Sequence, residues 1–565
     1  MTGLLNRAFE YVGAPVRRLM VLELGSEHGD LLAGAVLPWH GTVLIASLLR
    51  KKGFEVEALV EGISRFSEQE LADVDALLVH VTAGNLARTE EVTRHIRQSA
   101  RIPIIGGGGL TKAVPSAVSG ICDFIVRGEG EDTIVELLGA LNSRTDVREV
   151  PGVSFMWEGQ LWHTPSRPFT HNLDTFTDMS VIRGYRRMSL LEQVLRRRFY
   201  MMTIEASRGC PFSCKFCITP DLYGSYRTRP IPVVVEELRQ RLTYSRRVWF
   251  LDNLFVVKRA FTRNLLRAII DAGLGVRGNF TCFLRVENSR DDEMLELLPR
   301  AGFRNVYIGF ESLESGDQHA WNKKLQLQEM SAAVARFHEH RLRVNASFLA
   351  GSDNQCVDDV EQTVEWAIEH GLDFLNLFVL TPIQMKENLC IPRQRLLAPS
   401  WDFMNGNYVT FFPARMRPST LQLAVNDGIR RFYSASMNTR RIRRYGSVND
   451  RWLWPASLFA SSLAARQMRR RMRDYVQYLR RIEAPYYGSD ERLLEHQLPP
   501  NGVTCLPFMD GADVAMGARR RLAVTRASSP SHCSAPSKMP QHGFDTIELV
   551  QQASHDSELE AQDEG

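Results

Sequence analysis

Twice along this chain, short β-branched runs alternate with amphipathic stretches of helical period, and that repetition leaves few folds open to it. The first series lies within residues 1–150. VRRLMVLEL, FEVEALV, VDALLVHVT, IPIIGGGG and CDFIVRG read as strands, with HGTVLIASLLRKKG, TEEVTRHIRQSA and EDTIVELLGAL as helices among them. Apolar strands separated by helices are covered on both faces, so this part predicts an α/β fold, a Rossmann-like doubly wound parallel sheet. Ligands of such sheets sit beyond the carboxyl ends of the strands.

The second series spans residues 198–400. Its strands are RFYMMTIEAS, RVWFLDN, GNFTCFL, NVYIGFES, LRVNASFLAG and LDFLNLFVLTP, with helices such as FTRNLLRAIIDAG and VDDVEQTVEWAIEHG between them. Three of these helices stop at Gly273, Gly302 and Gly371, where a residue tolerating positive φ is the usual stop. Six strands in such a series predict a partial (βα)6 barrel, its functional groups at the strands' C-terminal ends. Residues 151–197, with Pro151, Pro165 and Pro168, read as a connector that mixes short strands (GVSFMW, QLWHTP) with turns, and 401–500 as a helical C-terminal region. Residues 501–565 contain RASSPSHCSAPSKMPQHG and ASHDSELEAQDEG, too poor in apolar surface to fold, and read as a disordered tail.

At 565 residues the chain exceeds one ordinary core, and 44% hydrophobic with 24% charged residues is a globular composition. A formal charge of +4 names no partner. No apolar run reaches the roughly 18–20 residues that cross a bilayer, and MTGLLNRAFEYVGAPVRR has no leader pattern. The expectation is a cytoplasmic protein without a membrane partner.

Nine cysteines are too few and too scattered for a disulfide scaffold. Three of them crowd into EASRGCPFSCKFCITP, leaving the first barrel strand as C-x-x-x-C-x-x-C. Such a loop can wrap an iron–sulfur cluster, and three thiolates leave one iron of a cubane open. A structural zinc ion wants a fourth ligand, and no further Cys or His lies close in sequence. Unrelated structural cysteines are the remaining reading, and these rarely cluster on a loop leaving a strand.

Cys210, Cys214 and Cys217, with Phe216 before the last, resemble the signature of the radical S-adenosylmethionine superfamily. The resemblance implies a 4Fe–4S cluster whose open iron is chelated by S-adenosylmethionine. It further implies that one electron cleaves the sulfonium to a 5′-deoxyadenosyl radical, which abstracts a substrate hydrogen atom. On the same resemblance Asp252 in LDN, Glu311 and Ser312 in NVYIGFES, and Gly351 in FLAGSD are expected near S-adenosylmethionine, as is Phe216.

Glycines after a buried strand let a backbone approach a ligand, or simply make a tight turn. Here Gly106, Gly107 and Gly108, followed by IVRGEGE with Gly128 and Glu129, resemble the cobalamin-binding domain fused before many radical S-adenosylmethionine enzymes. The resemblance covers about residues 16–480 and also places Thr82 and Gly84 of VTAGN toward the corrin. The cobalt-ligating D-x-H-x-x-G pattern fits none of SEHGDL, PWHGTV and LVHVTA, so the resemblance implies an open lower face, with His28 and His40 able to approach the corrin. Departures from the family are Leu110 and Thr111 where a His often follows the glycines, Asn253 where a second acidic residue is frequent, and LTPIQMKEN without a P-G-T turn. A lone Cys122 in the N-terminal region argues against a methylthiotransferase, which carries a second cysteine set there.

RRFYSASMNTRRIRRYG and ARQMRRRMRDYVQYLRR interleave arginine with aromatics, a pattern that suits nucleic acid but more commonly marks solvated helix faces. Their neighbours resemble the family's C-terminal cap, so nucleic acid is not the expected partner. The function implied is a cobalamin-dependent methyltransferase acting on an unactivated carbon of a small-molecule or peptide substrate, with a flavodoxin or ferredoxin as reductant. The alternatives are a cyclase, oxidase or rearrangement enzyme with the same cofactors, or a non-enzymatic corrinoid- or metal-binding protein. Radical hydrogen abstraction needs no protein base, so no catalytic acid or base is nominated.

Overall fold

The computed structural model describes residues 15–25, 38–61, 63–64, 74–185, 201–382, 391, 395–397, 401–444 and 472–484. The 501–565 tail, His28, much of LTPIQMKEN, and parts of the connector and the helical C-terminal region lie outside them.

The first series forms strands β1 (Arg18–Glu23), β2 (Glu55–Val60), β3 (Ala76–His80), β4 (Ile104–Gly107) and β5 (Phe124–Val126). They pair in parallel in the order β2-β1-β3-β4-β5. Alternate residues feed opposite cores, which is why the strands are apolar throughout. Leu78, Ile105 and Phe124 join Val43 and Leu49 of α1 (His40–Lys51), while Leu77, Val79 and Ile104 join Val92 and Ile96 of α2 (Leu86–Ser99). A short helix α3 (Gly109–Ala113) follows β4, and α4 (Glu131–Ser143) follows β5.

Two strands of the expected connector instead extend this sheet. Val153–Trp157 (β6) pairs antiparallel with β5, and Gln160–His163 (β7) pairs antiparallel with β6. The turn between them, Glu158–Gly159, has both φ values positive (50° and 79°), as a tight two-residue hairpin turn requires. This hairpin covers an edge that β5 would otherwise leave unpaired.

The second series is a six-stranded parallel sheet with neighbours in chain order: β8 (Met201–Ile204), then, after a short loop pair β9 (Ser207–Arg208) and β10 (Arg227–Thr228), β11 (Arg247–Phe250), β12 (Asn279–Leu284), β13 (Phe303–Glu311), β14 (Arg343–Ala350) and β15 (Phe374–Val379). Phe250, Phe280 and Phe303 cluster in its core with ring centroids 5.1–5.9 Å apart. On the other side Phe283 meets Trp249 at 5.5 Å and Tyr307 at 4.8 Å.

The chain between the sheets is fastened by buried charge. Arg241, only 1% exposed, donates to the carbonyls of Thr177 (2.9 Å) and Thr203 (3.2 Å). Arg229 pairs with Glu237 at 2.7 Å and also donates to the Leu173 and Thr175 carbonyls. Glu237 in turn accepts the Thr177 N–H at 2.6 Å. Charges this deep persist only when paired and hydrogen-bonded, and here the connector backbone supplies much of that satisfaction.

Candidate active site

β9 and β10 pair antiparallel, closing the base of the loop 209–226 that leaves β8. Gly209, at φ 88°, starts the loop, and its N–H donates to Asn253 Oδ1 at 3.0 Å. A Cβ there would run into backbone of the facing side of the loop. Cys210 and Cys217 are half-buried, Cys214 is buried, and none of the three is in a disulfide.

A second loop, after helix Ser315–Ala320, braces the first. Trp321 meets Phe216 edge-on at 5.5 Å, and its carbonyl accepts the Lys215 N–H at 3.2 Å. Asn322 Nδ2 donates to Ser213 Oγ at 3.0 Å. Arg285 lies over the Phe212 ring at 3.9 Å. Burial pushes the Cys210 and Cys214 thiols up, while Lys323 and Arg285 pull Cys214 back toward the thiolate a metal requires. Three thiols on one loop, flanked by two cations, fit an anionic iron–sulfur cluster.

The other strand ends fall into two groups. Glu311 sits at a bulge with φ 72°, and its carboxylate meets Lys323 Nζ at 3.0 Å, both side chains only 9% exposed. Its carboxylate lies over Gly309, where a Cβ would occupy the same space. Asp252, Ser312 and Gly351 make hydrogen bonds within the frame. Asp252 is buried and accepts from Ala206 N–H (3.0 Å) and Ser207 Oγ, and burial pushes its carboxyl up to about 7. Ser312 Oγ donates to Asp317 (2.8 Å) and accepts from Gln355 (3.2 Å), whose Oε1 takes the Gly351 N–H at 2.8 Å.

Between the carboxyl ends of β1–β5 and the barrel lies a cavity of about 550 Å³. Gly106, Gly107, Gly108 and Gly128 line it from the first sheet, with Leu251, Asn253 and Phe283 from the barrel. Leu44, Ile45 and Ile134 make an apolar slot between α1 and α4. Gly108 has φ 130°, and a Cβ there would strike the Val81 carbonyl. Thr82 and Gly84 fall outside the cavity lining. They sit in the turn after β3, where Thr82 N–H donates to Asn85 Oδ1 at 2.8 Å.

Glu129 lines the cavity too, but its carboxylate is held by arginines. It receives Arg227 at 2.7 and 2.8 Å and Arg208 at 3.1 Å, along with the Thr170 N–H at 2.8 Å. Arg208 also reaches Glu131 (2.7 Å) and Glu205 (3.0 Å). Burial would push Glu129 up, but the two guanidiniums outweigh it and hold the carboxyl below its usual range. Because Arg208 and Arg227 stand on the two strands at the base of the cysteine loop, this network ties that loop to the cavity wall.

Two histidines border the same cavity. His40 has neither ring nitrogen hydrogen-bonded, with Nε2 3.6 Å from Glu205, and burial pushes it down to about 3. His80 has Nδ1 enclosed without a hydrogen-bond partner, and burial pushes it down to about 4. Both are neutral imidazoles at pH 7. A glycine-lined opening and an apolar slot fit a flat corrin bearing a pendant base.

Sequence reasoning named the three cysteines and the glycines, but missed Arg208, Arg285 and the Trp321–Lys323 loop. Only Arg208, two residues before Cys210, carried a local signal, as a charge set at the end of an apolar strand.

The profile of the Radical SAM superfamily matches residues 204–367, and that of the B12 binding domain matches residues 32–138. An uncharacterised methyltransferase of Pyrococcus horikoshii is 25% identical over 367 residues, 62% of this chain and 77% of the relative. Bacteriochlorophyllide d C-12(1)-methyltransferase of Chlorobaculum tepidum is 25% identical over 390 residues, 68% of this chain and 80% of the relative. Anaerobic magnesium-protoporphyrin IX monomethyl ester cyclase of Cereibacter sphaeroides is 26% identical, over 55% of this chain and 51% of the relative. Among solved structures, the radical S-adenosylmethionine methyltransferase TsrM from Kitasatospora setae shares the fold, with a TM-score of 0.56 and 19% identity over 65% of this chain and 75% of its own.

Proposed function

We propose that this chain, which belongs to the cobalamin-binding-domain-containing radical S-adenosylmethionine enzymes, is a methyltransferase acting on an unactivated carbon of a small molecule. The observation that carries this reading is one shared cavity, lined by Gly106–Gly108 on one side and by Leu251, Asn253 and Phe283 on the other. When bound, the cluster supplies the electron that cleaves S-adenosylmethionine to a carbon-centred radical, and cobalamin carries the methyl group.

The chain's own residues have separable tasks. Cys210, Cys214 and Cys217 hold the cluster and leave one iron for the amino-acid end of S-adenosylmethionine. The Glu311–Lys323 pair beside Cys214 offers an acceptor and a cation to that zwitterionic end. Gly106–Gly108 let the corrin lie against backbone, and the apolar slot keeps water from the pendant base. The Arg208–Glu129–Arg227 network holds the two halves in one geometry, which reactions between bound partners require.

The test needs no substrate. The protein is reconstituted anaerobically with iron, sulfide and hydroxocobalamin, then given a reductant and S-adenosylmethionine labelled in its methyl group. Wild type is expected to retain corrinoid through gel filtration, acquire label on it, and release 5′-deoxyadenosine, while Cys214→Ala releases none. 5′-Deoxyadenosine without label on the corrinoid would overturn methyl transfer and favour cyclisation or oxidation, as in the cyclase relative. A full cluster that never cleaves S-adenosylmethionine would overturn the radical half.

A further inference from the structure

We infer that His80 supplies the lower axial nitrogen to the cobalt of bound cobalamin. This rests on the cobalamin reading above and departs from the open lower face that the resemblance implies, with a ligand that lies outside any D-x-H-x-x-G pattern. β3 is the middle strand of the five parallel ones, so its carboxyl end lies beneath the centre of the sheet's ligand-bearing edge. His80 is the last residue of β3 and lines the cavity.

The surroundings of the ring are built around it. Gly108, at the end of the neighbouring strand, carries no Cβ; one placed there would lie 3.1 Å from His80 Cδ2. Trp39 flanks the imidazole at 5.8 Å, tilted by 46°. Nδ1 is enclosed and has no partner, which leaves Nε2, next to Cδ2, as the nitrogen that can face a ligand. A neutral imidazole is a good donor to a borderline metal ion. The missing partner on Nδ1 matters as well. Metal-bound histidines usually donate that second N–H to a carboxylate or carbonyl, which strengthens the metal bond. His80 lacks that support, which would weaken any bond it made to cobalt. His40 borders the cavity from the start of α1, 3.6 Å from Glu205 of the barrel, on the rim and not at the strand end.

Cobalt(II) has its unpaired electron along the axial direction, so electron paramagnetic resonance reads the ligand directly. Full-length protein is loaded with cobalamin, photoreduced or chemically reduced to cobalt(II), and measured with natural-abundance and 15N-histidine-labelled chains. The expected wild-type spectrum shows axial lines split into triplets by one nitrogen, collapsing to doublets with 15N-histidine. His80→Ala should abolish that splitting while still retaining corrinoid, and His40→Ala should leave it unchanged. No nitrogen splitting, splitting insensitive to 15N-histidine, or splitting that survives His80→Ala each overturns the assignment. The isotope experiment uses wild type, so histidine ligation is decided even where a variant folds poorly. Failure to retain any corrinoid would instead sink the cobalamin reading itself.

Discussion

Replacing Glu129 by alanine removes one carboxylate that four hydrogen bonds converge on. Its side chain is 6% exposed, and those of Arg208 and Arg227 are 7%, so solvent cannot take over the lost interactions. Breaking a buried pair by deleting one partner costs about 3–5 kcal/mol, because the remaining charge stays buried without compensation. Arg208 keeps Glu131 and Glu205, and Arg227 keeps the carbonyls of Thr170, Tyr223 and Ser225, which places this case at the lower end. The expected loss is about 3 kcal/mol. Denaturant unfolding followed by fluorescence of the sheet tryptophans reads it, with Glu236→Ala as the control. Glu236 pairs with Arg239 on the surface, at 61% and 51% exposure, and such pairs are worth about 0–1 kcal/mol. A double-mutant cycle with Arg227→Met should return a coupling of about 2 kcal/mol, within the usual range for groups in one network. If Glu129→Ala costs no more than Glu236→Ala, the network is open to water in solution and does not fasten the cysteine loop.

Two further outcomes follow from single residues. Gly108→Ala places a Cβ against the Val81 carbonyl at a φ of 130°, so about 1–3 kcal/mol of backbone strain is expected together with loss of corrinoid on gel filtration; full retention would show that the strand end can shift to admit it. Glu23 accepts the Trp39 N–H, and burial pushes its carboxyl from 4.5 to about 7. The folded state therefore keeps a proton that the unfolded chain releases, and stability falls as pH rises through that window, by about 3 kcal/mol for this group. Glu23→Gln should flatten the pH profile between those values; an unchanged slope would assign the dependence to other groups.

Much of the architecture was legible because it rests on local periodicity. Every strand of the two series, the glycine stops of the barrel helices and the Cys210–Cys217 spacing depend on neighbours in sequence. The hairpin that extends the first sheet was readable only in part. β6 and β7 read as short strands, yet β6 pairs with β5 across a helix in the chain, and β7 with β6. Residue roles were harder to read, because a motif gives a position but not the contacts of the side chain that stands there. Asp252 and Ser312 stand where the motifs put them, yet their polar atoms are taken by Ala206, Ser207, Asp317 and Gln355. Glu129, expected among the cobalamin-binding residues, is held by arginines 79 and 98 residues away.

The sequence by itself determined the two α/β series, the cysteine loop and the glycine-lined strand ends, since each is an interaction among residues close in the chain. Only the tertiary structure decided which polar groups stay free. In a buried site each carboxylate, guanidinium or imidazole must find a partner or remain without one, and those partners come from distant segments. That is why Lys323 stands beside Cys214, why Arg208 binds the cysteine loop to the first sheet, and why His80 is left with an unpartnered ring nitrogen at the centre of the cavity edge.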